Sequence, residues 1–322
     1  MAVKSIAVLT SGGDAPGMNA AVRAVVRAAI SKGFKVLGVH RGYNGLLNGD
    51  VFEMNLRSVS DIIHRGGTIL YTARSEEYNT VEGVKKAAKT CRDLGVVGVV
   101  VIGGDGSFRG ARDLTEEGIL CVGIPGTIDN DIACSEYTVG FDTAMNTVMT
   151  MVDRIRDTAQ SHDRCSVVEV MGRRCGDIAL ETGIAVGATA ILVPEKPFDL
   201  DIDVIERMKT TQNSGKKHFI VMVAEGVGGV DEIAKYIQEK TGIETRATVL
   251  GHVQRGGSPT LRDRVVASVM GHKAVCLLEQ GIGNRVVALS KGEIVDFDIT
   301  EALNMKRKFN LDLYNVAMDI SI

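Results

Sequence analysis

Short continuous apolar runs recur along the chain, and the clearest of them are Val96–Ile102 and Ile119–Ile124. Both runs are rich in Val and Ile and too short for a helix, which is typical of strands buried on both faces of a parallel sheet. Longer stretches with amphipathic helical spacing separate such runs, as at Val81–Leu94. This alternation predicts an α/β protein with helices on both faces of largely parallel sheets.

The same pattern predicts the remaining elements. Further strands are expected at Ser5–Leu9, Lys35–Val39, Cys165–Met171, Ala190–Val193, His218–Ala224, Arg246–Leu250 and, as the last strand, Arg285–Leu289. Further helices are expected at Ala20–Ser31, Arg109–Glu117, after Thr147 to about Thr158, and at Asp177–Val186, Val230–Thr241 and Leu261–Gln280. We also expect a turn at Gly42–Gly45 and a short strand just before Arg74.

Each of the two central strands ends in a polar loop, Gly103-Gly-Asp-Gly-Ser107 after the first and Pro125-Gly-Thr-Ile-Asp-Asn-Asp131 after the second. Carboxyl ends of neighbouring parallel strands meet at the crevice where ligands bind. The glycines let the backbone approach a phosphate closely, and Mg²⁺ would reconcile Asp105 with that phosphate because it binds both kinds of oxygen. Asp129 and Asp131 have no Lys or Arg beside them in sequence, so one of them can act as a general base. Together these features indicate phosphoryl transfer.

Composition removes several other classes of function. The 322 residues suffice for two domains or one large one, and a net charge of −3 gives no general attraction to nucleic acid or to an acidic membrane. No apolar stretch approaches the roughly 20 residues of a membrane span, and the N-terminus lacks a signal-peptide core. The six cysteines form no Cys-x-x-Cys pair, which indicates reduced thiols in a cytoplasmic protein.

The two polar loops resemble the signature loops of the phosphofructokinases, and the chain resembles the bacterial ATP-dependent 6-phosphofructokinases from Ile6 to about Met305. The resemblance implies two three-layer α/β/α domains with largely parallel sheets. Residues 1–140 plus about 256–304 would bind ATP, and residues 141–255 plus about 305–322 would bind fructose 6-phosphate. The implied reaction is the ATP-dependent phosphorylation of fructose 6-phosphate at its 1-hydroxyl, a committed step of glycolysis, with Mg²⁺ as the metal.

The resemblance also implies the roles of individual residues. For catalysis these are the general base Asp129, with Asp131, Thr127, Arg74 and Arg173. For ATP they are Gly12, Arg74, Ser75, Gly104, Asp105, Gly106 and Ser107, with Asp105 also nearest the metal. For fructose 6-phosphate they are Thr127, Asp129, Arg164, Met171, Gly172, Arg173, Glu225, Arg246, His252 and Arg255. Arg164 and Arg246 would reach the site from a neighbouring subunit of a homotetramer. Without the family, the alternative for Arg74 is a surface ion pair with Glu76 or Glu77.

Bacterial phosphofructokinases commonly carry an effector site where ADP activates and phosphoenolpyruvate inhibits. The resemblance places this site at Arg23, Arg27, Arg156, Gly187, Lys216, Lys217 and His218. Two positions depart from the best-known relatives, because Thr189 replaces a glutamate that contacts the effector's Mg²⁺ and Ser214 replaces a lysine. We therefore expect an anion still to bind there but both effects to be blunted.

Other functions remain as alternatives. A diphosphate-dependent enzyme of the same fold typically has Asp at the position of Gly106 and Lys at that of Gly126, so the small residues here favour ATP. The NAD and lipid kinases share Gly-Gly-Asp-Gly but lack the second loop. A sugar-phosphate sensor without catalysis would not need a general base such as Asp129.

Overall fold

The computed structural model describes residues 4–321, and the chain divides into two compact units. The first comprises Met1–Thr143 with Arg255–Arg307, and the second comprises Ala144–Gln254 with Lys308–Ile322. Strands and helices alternate in both units, so the predicted α/β fold is confirmed. Within residues 4–321, no helix combines the length and the apolar composition needed to cross a membrane.

The strands and helices of the described residues are numbered along the chain. The strands are β1 (Ser5–Thr10), β2 (Lys35–Val39), β3 (Val51–Met54), β4 (Val96–Gly103), β5 (Leu120–Pro125), β6 (Cys165–Val170), β7 (Ala190–Leu192), β8 (Phe219–Ala224), β9 (Thr245–Val249), β10 (Arg285–Ser290) and β11 (Glu293–Asp298). The helices are α1 (Met18–Ser31), α2 (Tyr43–Asn48), α3 (Val81–Asp93), α4 (Asp105–Glu116), α5 (Phe141–Ser161), α6 (Asp177–Ala185), α7 (Asp201–Glu206 in π form, then Arg207–Asn213), α8 (Val230–Thr241), α9 (Leu261–Glu279), α10 (Ile299–Asn304) and α11 (Leu311–Asp319).

The first unit holds a seven-stranded sheet in the order β11-β10-β5-β4-β1-β2-β3. Its inner pairs are parallel, and the β2–β3 and β10–β11 pairs at the two edges are antiparallel. The second unit holds a parallel four-stranded sheet in the order β7-β8-β6-β9. The carboxyl ends of β1, β4 and β5 therefore lie side by side, as do those of β8, β6 and β9.

Burial on both faces explains the continuous apolar strands. Val99 and Val101 of β4 pack with side chains of α3 and α4 on one face of the sheet, including Ala87 and Ala111. Successive side chains of a strand point to opposite faces, so Val100 and Ile102 face the side where α1 and α9 pack. All these strand residues have no exposed surface. A strand with a solvent face would alternate apolar and polar residues instead.

Several predicted boundaries are wrong near the site. The helix predicted from Arg109 begins at Asp105, directly after Gly104. The strand predicted before Arg74 is absent, because residues 68–71 form a loop that Thr10 of β1 holds by donating its hydroxyl to the Tyr71 carbonyl oxygen at 2.9 Å. The predicted turn at Gly42–Gly45 is the start of α2.

The elements that the sequence pattern missed are mostly short or at edges. Strand β11 follows β10 through a two-residue turn, so Arg285–Leu289 is not the last strand. Lys291 and Gly292 in that turn both have positive φ, 52° and 80°, as a tight hairpin turn requires. Helices α7, α10 and α11 and the edge strand β3 were not predicted.

Candidate active site

Three loops meet at the carboxyl ends of β1, β4 and β5 in the first unit. The backbone N–H of Ser11, after β1, donates to the carbonyl oxygen of Ile102 at 2.9 Å. The N–H of Gly126, after β5, donates to the carbonyl oxygen of Gly103 at 2.9 Å. The structure thus brings the two polar loops predicted from sequence together and adds the Gly12 loop beside them.

The glycine loop after β4 is the N-terminus of α4. A Cβ atom on Gly103 would lie 2.4 Å from the Ser107 hydroxyl oxygen and 2.5 Å from the Ser11 carbonyl oxygen, so only glycine fits there. Gly106 in the first turn is exposed, and a Cβ atom on it would meet nothing within 4 Å. Backbone N–H groups at a helix N-terminus with no side chain over them form a site for a phosphate.

The polar side chains of the loop after β5 are mostly buried. Thr127, Asp129 and Asn130 are only 7%, 3% and 2% exposed. The Thr127 hydroxyl oxygen accepts a hydrogen bond from the Asp129 N–H at 3.2 Å, and Asn130 has a left-handed backbone with φ 51°. This tight turn restrains the backbone that carries the Asp129 carboxyl group.

Asp105 and Asp131 line one small cavity of about 60 Å³. The Asp105 Oδ2 atom accepts from Arg109 at 2.9 Å, one helical turn away. The rest of the lining is mainly apolar, from Phe108, Ile132, Ala133, Ala302, Leu303 and Met305. Two acidic residues, one from each polar loop, therefore line the same cavity.

Arg74 is exposed and lies three residues after the Tyr71 carbonyl that Thr10 binds. Within residues 4–321 it forms no ion pair with Glu76 or Glu77, and Glu77 binds Lys86 instead at 2.8 Å. The alternative of a local surface pair is therefore wrong. The Ser75 hydroxyl oxygen accepts a hydrogen bond from the Tyr78 N–H at 3.3 Å, which closes a turn over residues 75–78. Arg74 directly precedes this turn.

Sequence reasoning missed the groups that hold these loops in place. The Tyr43 hydroxyl donates to the Ser107 carbonyl oxygen at 2.6 Å, and the Tyr78 hydroxyl donates to that of Gly110 at 2.8 Å. Arg255, predicted to bind the sugar phosphate, donates to the Asp14 carbonyl oxygen at 3.2 Å. No sequence spacing links residues so far apart, so no signal could have identified these contacts.

In the second unit, the ends of β8, β6 and β9 gather the predicted polar residues. The N–H of Arg173 donates to Oε2 of Glu225 at 3.0 Å, and Arg173 itself has a positive φ of 55°. The N–H of Met171 donates to the buried Gln254 side chain at 3.2 Å, which ties β6 to the short 3₁₀ helix that contains His252. The carboxyl ends of the strands in this sheet therefore carry Gly172, Arg173, Glu225 and His252.

Arg164 and Arg246 lie at the amino ends of the strands, at the opposite end of the same sheet. Arg164 precedes β6, and Arg246 pairs with Ser166 near the start of that strand. Both arginines bind Glu244, at 2.8 and 2.9 Å, and their hydrogen bonds hold the pKa of that carboxyl group below its usual range. Strand β6 has six residues, so roughly 20 Å of backbone separates these arginines from Arg173.

The predicted effector residues fall into two basic clusters, one in each unit. In the first unit, Arg23 and Arg27 line a cavity of about 250 Å³ together with Arg57, Ser60, Asp61, Ile63 and His64. In the second unit, Arg156 donates to the carbonyl oxygen of Val186, which precedes Gly187.

Lys216 is the centre of the second cluster. Its Nζ atom donates to the Oγ1 atom of the fully buried Thr189 at 3.3 Å. Burial and then the charge of Arg156 lower the pKa of Lys216, and burial with the charges of Lys216 and Arg156 lowers the pKa of His218. Ser214 instead donates to the Thr211 carbonyl oxygen at 2.7 Å. The cluster thus carries excess positive charge that an anion would neutralise.

A glycine-lined helix N-terminus, converging carboxylates and arginines at strand ends together define a phosphotransferase on an α/β fold. The phosphofructokinase family matches residues 5–278. The chain belongs to the phosphofructokinase family, and the predicted resemblance is confirmed.

Similar proteins support this assignment over the full length. The chain is 59% identical over 319 residues to the ATP-dependent 6-phosphofructokinase of Clostridium botulinum strain Loch Maree, covering 99% of this chain and 100% of that protein. Its identity to the enzyme of the same name from Clostridium tetani is 58%, with the same coverage. The solved phosphofructokinase of Saccharomyces cerevisiae matches with a TM-score of 0.89 and 34% identity, over 99% of this chain and 48% of the yeast chain. This chain therefore spans about half the length of that yeast protein.

A pyrophosphate-dependent phosphofructokinase from Marinobacter aquaeolei shares the fold, with a TM-score of 0.85 and 21% identity over 96% of this chain and 86% of that one. At this identity the likeness concerns the fold alone.

Proposed function

We propose that the chain transfers the γ-phosphoryl group of ATP to the 1-hydroxyl of fructose 6-phosphate. The observation that carries the proposal is the junction of the glycine loop with the Thr127–Asp131 loop at adjacent strand ends, joined by the Gly126–Gly103 hydrogen bond. The full-length identity to ATP-dependent 6-phosphofructokinases supports it. In this proposal the first unit binds ATP, and the second unit binds the sugar phosphate.

Asp129 is the general base in this reaction. Its carboxyl group takes the proton of the sugar's 1-hydroxyl as that oxygen attacks the γ-phosphorus in line, and ADP leaves. Thr127 donates a hydrogen bond near the transferred group, with Asp131 as a second acidic contact. Arg74 and Arg173 offset the negative charge that develops there. No phosphoenzyme is needed, because the hydroxyl attacks directly.

The residues around Asp105 fit a magnesium ion. Asp105 and Asp131 line the same cavity, and each carries a carboxylate that could bind a metal ion. Mg²⁺ prefers such a site, since it binds one or two carboxylates together with substrate phosphates and keeps several waters. When bound, it would neutralise charge on the phosphates of ATP. Gly12, Ser75, Gly104, Gly106 and Ser107 would contact the nucleotide itself.

We further propose that the sugar phosphate site is shared between subunits of a homotetramer in the cytoplasm. Met171, Gly172, Glu225, His252 and Arg255 would bind fructose 6-phosphate with Arg173. Arg164 and Arg246 lie at the amino ends of the strands of that sheet, where both bind Glu244. They suit the 6-phosphate of a sugar that is bound at the site of a neighbouring subunit, because arginine binds phosphate through two parallel hydrogen bonds.

The two basic clusters are proposed to bind an anionic effector such as ADP or phosphoenolpyruvate. The residues assigned to effector binding, from the family resemblance, are Arg23, Arg27, Arg156, Gly187, Lys216, Lys217 and His218. A carboxylate at position 189 would bind the metal ion of a nucleotide effector and so strengthen nucleotide binding. Thr189 has only a hydroxyl group there, and that group already accepts a hydrogen bond from Lys216. The effects of both ligands on sugar binding are therefore expected to be weak.

A coupled assay with ATP, Mg²⁺ and fructose 6-phosphate, repeated with diphosphate, tests this function. Production of fructose 1,6-bisphosphate with ATP but not with diphosphate is expected, because Gly106 is exposed and a Cβ atom on it would meet nothing within 4 Å, which leaves room for a nucleotide. Turnover with diphosphate alone would support the diphosphate-dependent alternative. Binding of both substrates with no turnover would support a sensor.

A further inference from the structure

A short segment runs back along the loop that carries Asp129. We call this segment, Tyr137–Gly140, the strut. The N–H of Val139 donates to the Pro125 carbonyl oxygen at 2.8 Å, and the Thr138 hydroxyl donates to the Thr127 carbonyl oxygen at 2.6 Å. Thr138 and Val139 have no exposed surface. The strut thus holds the backbone on both sides of Gly126 after β5 has ended.

The other side of the strut packs against the Gly12–Gly17 loop. A Cβ atom on Gly17 would lie 2.7 Å from the Val139 side chain, so the two segments touch directly. A Cβ atom on Gly140 would lie 2.7 Å from that of Ala15. The strut therefore lies between the loop after β5 and the loop after β1, at the carboxyl ends of the strands.

Asp263, in the first turn of α9, fixes both ends of the strut. One carboxyl oxygen accepts from the Tyr137 hydroxyl at 2.5 Å and from the Gly140 N–H at 2.7 Å. The other accepts from the N–H and the hydroxyl of Thr143, at 2.9 and 2.5 Å. Asp263 has no exposed surface, and a buried carboxylate persists only where such donors replace water.

Asp263 is itself held by its surroundings. Its N–H donates to the Thr260 hydroxyl oxygen at 3.3 Å, and the Thr260 N–H donates to the Thr143 hydroxyl oxygen at 3.0 Å. Burial raises the pKa of the Asp263 carboxyl group, while the hydrogen bonds from Thr143 and Tyr137 oppose that rise. This network serves no part of the reaction described above, yet it ends on the carbonyl oxygen of Thr127.

We propose that Thr138 and Asp263 are positioning residues for phosphoryl transfer, acting through the strut on Thr127 and Asp129. This role rests on the proposed function. Strand β5 ends at Pro125 and its hydrogen bonding to β4 ends with the Gly126–Gly103 bond, so the Thr138 hydroxyl supplies a contact to the backbone of Thr127 beyond that pairing. Misplacing a reacting group by about 1 Å can cost about 10²-fold in rate. Asp263 confers the required rigidity because it restrains the strut on both sides of Thr138.

The test compares Thr138→Val, which keeps the shape but removes the hydroxyl, with Thr138→Ser, which keeps the hydroxyl. Each is made in the wild-type and in the Asp129→Asn background, and kcat and both KM values are measured. Thr138→Val should lower kcat at least about tenfold with the KM for ATP nearly unchanged. Thr138→Ser should recover most of that loss. In the Asp129→Asn background, Thr138→Val should cost less than about twofold, since it acts through the missing base.

Three results would overturn the inference: an unchanged kcat in Thr138→Val, an equal loss in Thr138→Ser, or the same fold-loss in both backgrounds. The last would indicate a general structural defect. If Thr138→Val does not fold, Tyr137→Phe removes one donor to Asp263 and should lower kcat with the same dependence on Asp129. Wild-type protein without phosphotransferase activity would contradict the proposed function instead, so the two failures are distinguishable.

Discussion

Replacing Gly106 by aspartate is expected to weaken ATP binding without disturbing the fold. Gly106 is exposed in the first turn of α4, its φ is not positive, and a Cβ atom there meets nothing within 4 Å. An acidic residue in a first helical turn is favourable by about 0.3–1 kcal/mol. The melting temperature of Gly106→Asp should therefore equal or exceed that of the wild type.

The cost appears when a triphosphate binds. A carboxylate about 5 Å from a phosphate oxygen would be repelled by about 1 kcal/mol in water and about 3 kcal/mol at the effective dielectric constant of a protein surface. These values correspond to a rise of roughly 5- to 150-fold in the KM for ATP. The KM for fructose 6-phosphate should change little, because the sugar is assigned to other residues.

Steady-state kinetics of Gly106→Asp beside Gly106→Asn measure this effect. Asparagine has nearly the same size without the charge, so it reports the steric contribution alone. Gly106→Asp should raise the KM for ATP well beyond Gly106→Asn, and added salt should narrow the difference only in part. Equal values for the two variants would show that Gly106 does not face the triphosphate, and the assignment of this loop to ATP would fail.

Two further predictions concern subunits and effectors. Arg246→Ala should raise the KM for fructose 6-phosphate about ten- to a hundredfold, the cost of one charge-assisted phosphate contact, with the KM for ATP unchanged. Mixing its protomers with those of Asp129→Asn should restore part of the activity; equal rises in both KM values, or no rescue, would refute a shared site. Millimolar ADP or phosphoenolpyruvate should shift half-saturation by fructose 6-phosphate less than tenfold, because Thr189 and Ser214 weaken the effector site; a larger shift, above about 1.4 kcal/mol of coupling, would contradict this.

The core of the fold was predictable because burial on both faces leaves a plain signal. Strands such as β4 are continuous runs of Val and Ile, and the polar loops after them stand out by contrast. Edge strands carry a weaker signal, since β11 is half exposed and mixes acidic with apolar residues. The early start of α4 was missed because Gly104 and Gly106 suggest a loop, whereas the structure uses them at a helix N-terminus.

The support of the site was not predictable from local pattern. Thr138 and Asp263 are 125 residues apart, and a buried Asp in the first turn of a helix looks like a surface residue until its partners are known. The separation of Arg164 and Arg246 from Arg173 was equally invisible, because it depends on which end of a parallel strand each residue occupies. Motif residues can be read locally, but the contacts that orient them are long-range.

Turnover of Asp129→Asn tests the central claim most directly. Asparagine keeps the shape of the side chain but cannot accept the proton of the sugar hydroxyl, and a positioned base contributes about 10²–10⁴-fold. We expect a loss of that size in kcat, with binding of fructose 6-phosphate near the wild-type value. Turnover within about threefold of the wild type, far below the contribution of a base, would show that Asp129 is not the base and that Asp131 must be tested in its place.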